Sequence, residues 1–289
     1  MALTLIDSAN ASGNGAQAGV IESVYNLNPL LSLLPFVSTN GSGTFSYNLV
    51  GDSAGSTSRQ VNSDFVEGTP SFSERVFKLG ILGGKGYDDN YIQVTTEPVD
   101  MLAAVAAAKA KAVGERFQYE FFNGDTSAAG GVNTFGETVA FDGLRKLALG
   151  EDVTSDNLDL DDIDAAIDGV NGQSTVILAN GKTASRINKL ARGLVQVDNI
   201  EMVGARLSTY GGIPVIRTGK YKGTDVLADG EIWAVKLGED GVFGVQKSLP
   251  TPVPYGPNSE RPGWTVRIDW YVGLAARIGS AYRVKRTLA

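Results

Sequence analysis

Thr95 to Asp125 reads T-T-E-P-V-D-M-L-A-A-V-A-A-A-K-A-K-A-V-G-E-R-F-Q-Y-E-F-F-N-G-D, and its reading decides the fold. The opening carries helix-start chemistry. Thr95 or Thr96 can cap, and Pro98 suits a first turn, where its missing N–H has no partner to lose. Glu97 and Asp100 set negative charge against the positive end of the helix dipole. Alanine then dominates from Ala103 to Ala112, so the backbone preference is strong before any packing. Leu102, Ala106, Ala110, Val113, Phe117 and Phe121 form a single apolar stripe at helical spacing. Lys109, Lys111, Glu115 and Gln118 fall off it. Asn123 and Gly124 both tolerate the left-handed backbone of a C-terminal cap. The spacing predicts a rod of about 25 residues, roughly 37 Å long, lying on a core along one face. Lys109, Lys111, Glu115 and Arg116 interrupt it too often for a membrane span.

The remaining composition is most informative in what it excludes. With 289 residues the chain has length for one large domain or two subdomains. Its 43% hydrophobic and 20% charged content is that of a folded protein, so the 36 glycines read as turns and bends rather than disorder. The net charge of −7 disfavours non-specific adhesion to nucleic acid, and no basic run lines a groove for it. Cysteine and histidine are both absent. That removes disulfides, thiolate nucleophiles, histidine bases, Cys/His metal sites and the Ser-His-Asp triad. Met1 to Ala9 has no basic start and carries Asp7 in its one apolar run, so it does not read as a signal peptide. The expectation is a protein that stays in the cytoplasm of whatever makes it.

Ahead of the rod, residues 1–40 mix a small polar patch, Asn10 to Gly15, with short apolar pieces, and L-N-P-L-L-S-L-L-P stops on Pro35. No core periodicity spans the segment. It reads as an extended arm ordered by contact with something else, or as a detached tail. Gly43 to Val94 reads as β, with Phe45, Tyr47 and Leu49 at the period of two of a half-buried strand. Gly51 to Arg59 is a polar tip. The chain returns through Val66 to Pro70 and Ser71 to Leu79, then breaks at Gly83, Gly84 and Gly86. A two-stranded excursion of this kind is marginal alone and needs a partner surface.

Beyond the rod, Asp156 to Asn171 invites a calcium reading that fails on spacing. Counted from Asn157, the ligands would be Asn157, Asp159 and Asp161, but Asp162 stands where the loop needs Gly and Asp168 where it needs Glu. The rival is an amphipathic helix with Leu160, Ile163, Ala166, Ile167 and Val170 inward, closed by Gly172. Thr175 to Ala179 reads as a buried strand leading through a turn to a helix. Gly181-Lys182-Thr183 matches the tail of a phosphate-binding loop, but Val176 occupies the place of that loop's first Gly, so no nest of N–H groups forms. Asp229 to Gly244 supplies strands at Ile232 and Ala234, then at Val242, Phe243 and onward to Val245. Thr251 to Pro262 holds four prolines and reads as a stiff extended connector, neither helix nor central strand. Trp264, Val266, Ile268 and Trp270 then share a face opposite Arg267 and Asp269. Alternation resumes after Gly273 through Ala275, Arg277 and Tyr282 to Val284, a long closing strand pair.

F-F-N-G-D, Phe121 to Asp125, leads through a Gly-rich loop to F-D-G-L, Phe141 to Leu144. This resembles the major capsid proteins of tailed bacteriophages, the Hong Kong 97 fold, where a long spine helix ends in such a turn before a Gly-Leu. Glu67-Gly68-Thr69-Pro70 resembles the turn in that family's extended loop. Asn180 fits its strand-Asn-helix step, and Gly211 to Gly219 resembles its G-x-P-V strand. Each motif is weak, and the resemblance rests on their order from Glu67 to the C-terminus. It implies an α+β fold with an N-terminal arm at 1–42 and an extended β loop at 43–95. The spine helix and peripheral subdomain would occupy 96–149, the axial subdomain 150–256, and the peripheral closing strands 257–289.

The function implied is mechanical. A major capsid protein of this kind assembles as hexamers and pentamers into an icosahedral head around double-stranded DNA, without sequence-specific contacts. It is located in the virion, is assembled in the host cytoplasm, and is not an enzyme. The resemblance implies no catalytic residue, cofactor, metal or membrane partner. The partners implied are further copies of itself, a portal, a decoration protein and a scaffolding protein. The scaffold is expected to be a separate chain, because the residues before Gly43 leave no room for a scaffolding segment. In some relatives a Lys of the extended loop cross-links to an Asn of another subunit; Lys78 and Lys85 lie in that region, but neither aligns to such a position. The rival within the fold is an encapsulin, a cellular shell that holds cargo enzymes, against which the Gly/Asn/Ser-rich start argues. The rival outside it is a nucleotide- or metal-binding module on 156–168 or Gly181 to Thr183, disfavoured by the failed spacings.

Overall fold

A computed structural model describes residues 29–39, 43–50, 58–65, 72–91, 101–147, 150–191, 199–202, 205–255 and 262–288. Its first elements are α1 (Pro29–Leu33), β1 (Phe36–Ser38), β2 (Thr44–Val50), β3 (Phe72–Lys78), β4 (Gly80–Asp89) and α2 (Met101–Asn123). There follow β5 (Gly150–Asn157), α3 (Leu160–Asp168), β6 (Val176–Ala179), α4 (Gly181–Ala191), β7 (Asn199–Met202), β8 (Ala205–Tyr210) and β9 (Ile213–Arg217). The chain closes with β10 (Lys220–Tyr221), β11 (Thr224–Asp225), β12 (Glu231–Val235), β13 (Val242–Gln246), β14 (Thr251–Tyr255), β15 (Gly263–Ala276) and β16 (Ala281–Thr287). No helix among the described residues is long and apolar enough to cross a membrane.

The rod is α2. Ala110, Val113, Phe117 and Phe121 of its stripe are buried, and Ala106 is half-buried. The proposed start, Thr95 to Asp100, and the side chain of Leu102 lie outside the described residues. The stripe covers a five-stranded sheet centred on β15, with β4 along one edge, β14 and β13 in succession along the other, and β1 parallel to β13. Phe117 meets Trp270 of this sheet at 5.0 Å between ring centroids. The last turns of α2 are enclosed on all sides, so the outward expectation for Gln118 is wrong. Gln118 is buried and its Oε1 accepts the Gly219 N–H at 3.2 Å.

The end of α2 also differs from expectation, and the difference explains its motif. Neither Asn123 nor Gly124 takes a positive φ. Gly124 is needed for close approach instead: a Cβ there would stand 2.2 Å from the Phe141 carbonyl oxygen. Gly143 donates its N–H to Gly124 O at 2.9 Å and Leu144 donates to Phe121 O at 2.8 Å. F-N-G-D and F-D-G-L, distant in sequence, are therefore one packed joint.

The second sheet has seven strands in the order β5-β16-β12-β6-β9-β8-β7. One face meets the α2 core through Leu178, Ile216 and Trp233, and the other carries α3 and α4 on Ile177, Val215 and Ile232. Gly211 and Gly212, at φ +57 and +82, make the tight β8–β9 turn. The closing strands are thus not a pair. β15 belongs to the five-stranded sheet and β16 to the seven-stranded one, because Arg277 to Ser280 carries the chain from one layer to the other.

Further expectations are corrected. Residues 29–39, read as part of the arm, join the subunit's own core: Leu30, Leu31 and Leu34 are buried, and Phe36 packs on Phe117 and Trp270. β4 runs unbroken through Gly83, Gly84 and Gly86, since Gly84 and Gly86 let α2 lie close, and Gly83 lets the Ile268 carbonyl of β15 lie close, instead of ending the strand. Asp156 and Asn157 lie in β5, and α3 starts only after Asp159. Gly172, at φ +96, turns the chain past Asp168 rather than capping the helix directly. β14 is an edge strand, where Pro252 and Pro254 are tolerated. Trp264, at the first end of β15, is 38% exposed although its face-mates are buried.

Candidate assembly surfaces

The acidic 156–168 segment and the G-K-T segment are both occupied internally. Asp159 caps α3, with Asp162 returning the bond to the Asp159 N–H at 3.0 Å, a capping box. Asp162 also accepts from Arg286 Nε at 2.8 Å. Asp164 accepts the Tyr210 hydroxyl at 2.9 Å; burial first, then this carboxylate, pushes that hydroxyl up to about 12. No cluster of three acidic, His or Cys residues fit for a metal occurs among the described residues. At α4, Asn180 Oδ1 accepts the Thr183 N–H at 2.8 Å and so caps the helix. Lys182 donates to Asp229 at 2.8 Å, and buried Thr183 accepts the Gly230 N–H at 2.9 Å. The side chains of Lys182 and Thr183 are thus both engaged within the subunit.

Buried charge instead clamps the layers together. Glu231 is fully buried, yet it opens the apolar strand β12. It accepts from Arg145 at 2.5 and 2.7 Å, from Arg283 Nε at 2.8 Å and from Trp233 Nε1 at 3.0 Å. Burial alone would raise its carboxyl, but Arg145, Arg283 and Trp233 together hold it below its ordinary value. Arg145 also donates to Asn123 at the end of α2, so one carboxylate ties spine, loop and seven-stranded sheet. A second clamp centres on Arg116 of α2, which donates to Glu120, Glu137, Tyr221 and the Thr138 carbonyl. Sequence reasoning missed both. The signal available was Glu231 itself, a lone acid heading E-I-W-A-V.

The candidate surfaces lie outside these clamps. β2 and β3 form an antiparallel ribbon. Its inner face packs on the five-stranded sheet, with Phe45 edge-on to Phe243 at 5.4 Å and the Tyr47 hydroxyl donating to Ala276 O at 3.0 Å. Its outer face leaves Phe72 69% exposed and Val76 53% exposed. Ile81 and Tyr271, paired across β4 and β15, are exposed too, as are Val253 and Tyr255 on β14. Exposed apolar pairs such as Ile81 with Tyr271 are candidates for an interaction surface. Most of the Gly51–Arg59 tip and the whole of Glu67-Gly68-Thr69-Pro70 lie outside the described residues. Lys78 and Lys85 are both exposed on their strands.

No protein-family model matches the sequence, and no curated protein does. Solved structures do match. A chain from Microbacterium phage Oxtober96 superposes with a TM-score of 0.64 at 12% identity, covering 89% of this chain and 90% of that one. The encapsulin of the holo-SrpI complex from Synechococcus elongatus gives 0.63 at 18% identity, over 89% and 86%. The chain has the Hong Kong 97 fold. A capsid chain of a native GTA particle agrees, with 0.59 at 13% identity over 92% and 90%. At these identities the likeness is one of fold. Phage and encapsulin chains share the Hong Kong 97 fold to nearly the same degree, so the fold by itself does not divide them.

Proposed function

We propose that this chain is the major subunit of a closed protein shell, a capsid of bacteriophage type. The observation that carries the reading is the β2–β3 ribbon. Its inner face is held by the subunit's own sheet, while Phe72 and Val76 face outward with nothing of the described subunit to cover them. On the Hong Kong 97 fold such a ribbon is suited to lie on a neighbouring copy. In this reading the seven-stranded sheet with α3 and α4 forms the axial unit around which hexamers and pentamers close. The spine helix and five-stranded sheet form the peripheral unit. The role is structural, in a virion assembled in the host cytoplasm around double-stranded DNA, with portal, scaffolding and decoration proteins as partners of other kinds. A cellular shell is the second reading, favoured by the 18% identity to an encapsulin.

Electron microscopy of the purified chain tests the proposal, alongside two variants. Deleting Gly51–Arg59 is expected to leave the melting of dissociated subunits nearly unchanged, because shortening a surface loop alters closure entropy little, while particle yield collapses. Phe117→Ala is expected to cost about 3–5 kcal/mol and give insoluble subunits. A monodisperse monomer at high concentration would defeat the shell. Particles that carry nucleic acid support the phage reading, and particles that carry only protein support the cellular one.

A further inference from the structure

Two short stretches that carry the chain between the sheets lie side by side. Residues 236–241 lead from β12 of the seven-stranded sheet to β13 of the five-stranded one, and 277–280 lead back from β15 to β16. They are hydrogen-bonded to each other, the Lys236 N–H to Ser280 O at 2.8 Å and the Arg277 N–H to Gly241 O at 3.1 Å. Each contains a glycine of positive φ, Gly238 at +148 and Gly279 at +71. A few element-terminal residues of this kind are where packed layers pivot.

Arg277 stands at the centre of this double crossing. Its Nε donates to Glu239 O at 3.1 Å, bracing the 238–241 turn, and its carbonyl accepts the Ser280 hydroxyl at 2.6 Å. The same guanidinium lies over the ring of Tyr47 on the β2–β3 ribbon, with Cζ 5.4 Å from the ring centroid. The Tyr47 hydroxyl donates at 3.0 Å to the carbonyl of Ala276, the residue before Arg277, and the Tyr47 ring stacks on Phe77 of β3. One side chain of the ribbon thus grips the chain where it leaves the five-stranded sheet.

We infer that Tyr47 and Arg277 form a coupling device, through which the seating of the ribbon sets the order of the crossing between the two sheets. A ribbon seated on the five-stranded sheet holds the guanidinium against the 238–241 turn. A ribbon drawn off it removes the Tyr47 ring and the bond to Ala276 O together, and leaves the half-exposed Arg277 side chain free to swing into solvent. The coupling is reciprocal, since two linked equilibria bias each other equally. It goes beyond the shell reading, because it operates within one subunit and gives the ribbon a second role: whatever moves the ribbon also loosens the joint between the sheets.

Amide hydrogen exchange on the full chain, as dissociated subunits, tests it at Lys236 and Gly241, whose N–H groups bond within the crossing. Arg286, bonded to Gly230 O elsewhere in the seven-stranded sheet, is the control. Tyr47→Leu is expected to speed exchange at Lys236 and Gly241 about tenfold, the size expected for losing a cation–π contact and a hydrogen bond, with Arg286 unchanged. Tyr47→Phe keeps the ring and is expected to give about threefold. Beside Arg277→Lys, which lacks the planar donor, the effect of Tyr47→Leu is expected to shrink to that of the lost hydroxyl. Arg277→Lys alone is expected to speed exchange within β2 and β3. If Tyr47→Leu does not fold, Tyr47→Phe and Arg277→Lys carry the test, each read in the element to which it does not belong. Wild-type exchange at both crossing amides in the Tyr47 variants overturns the inference. So does a Tyr47→Leu effect that persists in full beside Arg277→Lys, an unchanged ribbon in Arg277→Lys, or equal acceleration at Arg286.

Discussion

Gly86 of β4 lies directly beneath Val105 of α2, so close that a Cβ on the glycine would stand 2.3 Å from the valine Cγ1. Gly84, two residues back on the same face, is less tightly covered, its Cβ position 3.4 Å from Lys109 Cδ. Gly80 is pressed against backbone, 2.1 Å from the Ala140 carbonyl oxygen. Gly84 and Gly86 of G-I-L-G-G-K-G form the track on which the spine helix rests, and they set how near helix and sheet approach.

Gly86→Ala is expected to destabilise the subunit by about 1–3 kcal/mol, the usual cost of overpacking, because the β-branched Val105 has few rotamers to yield into. Gly84→Ala, with ordinary contact and a flexible lysine stem above it, is expected to be near neutral. Thermal melting of dissociated subunits compares the two. Equal losses would show that the close approach at Gly86 is not the constraint described.

Glu231→Gln leaves Arg145 and Arg283 facing a neutral amide inside the protein. Breaking a buried ion pair from one side costs on the order of 3–5 kcal/mol, and urea denaturation should show a loss in that range. Arg145→Ala should cost less, because Arg145 is a third exposed and Arg283 continues to hold the carboxylate. A larger loss for Arg145→Ala than for Glu231→Gln would contradict Glu231 as the centre of the clamp.

Glu137 gives a pH dependence with a definite sign. Burial works against its ionised form, but Lys222, Tyr221, Asn133 and Arg116 together draw its carboxyl from 4.5 down to about 2. The fold therefore binds the carboxylate more tightly than the carboxylic acid. That stability is fully present above about 4.5 and is lost as pH falls through about 2. Allowing for partial exposure, the loss is on the order of 2 kcal/mol. Glu137→Gln should show a shallower fall in stability over that window than the unsubstituted chain. Parallel pH profiles would remove the carboxylate from the account.

Much of this was legible in the sequence where the signal is local. The α2 stripe from Ala110 to Phe121 follows from the 3.6-residue period. The acidic start of α3 follows from capping and dipole chemistry, and spacing alone argues against a calcium or phosphate loop. The motif order from Glu67 onward pointed to the Hong Kong 97 fold, although the reason for one of its glycines, Gly124 against the Phe141 carbonyl, lies in a tertiary contact.

What only the tertiary structure decided concerns which surface covers which. Leu30, Leu31 and Leu34 look like stray apolar residues in an arm until Phe117 and Trp270, far along the chain, provide their wall. Gly84 and Gly86 look like strand breakers until α2 lies across them. Gln118 falls off the stripe by helical period, yet it is buried and its partner is the Gly219 amide, remote in sequence. β15 and β16 continue one alternation but join different sheets, because the turn between them changes layer. A period states which residues share a face. Whether that face meets water, its own core or another copy depends on elements remote in sequence, through packing free energies that no local window contains.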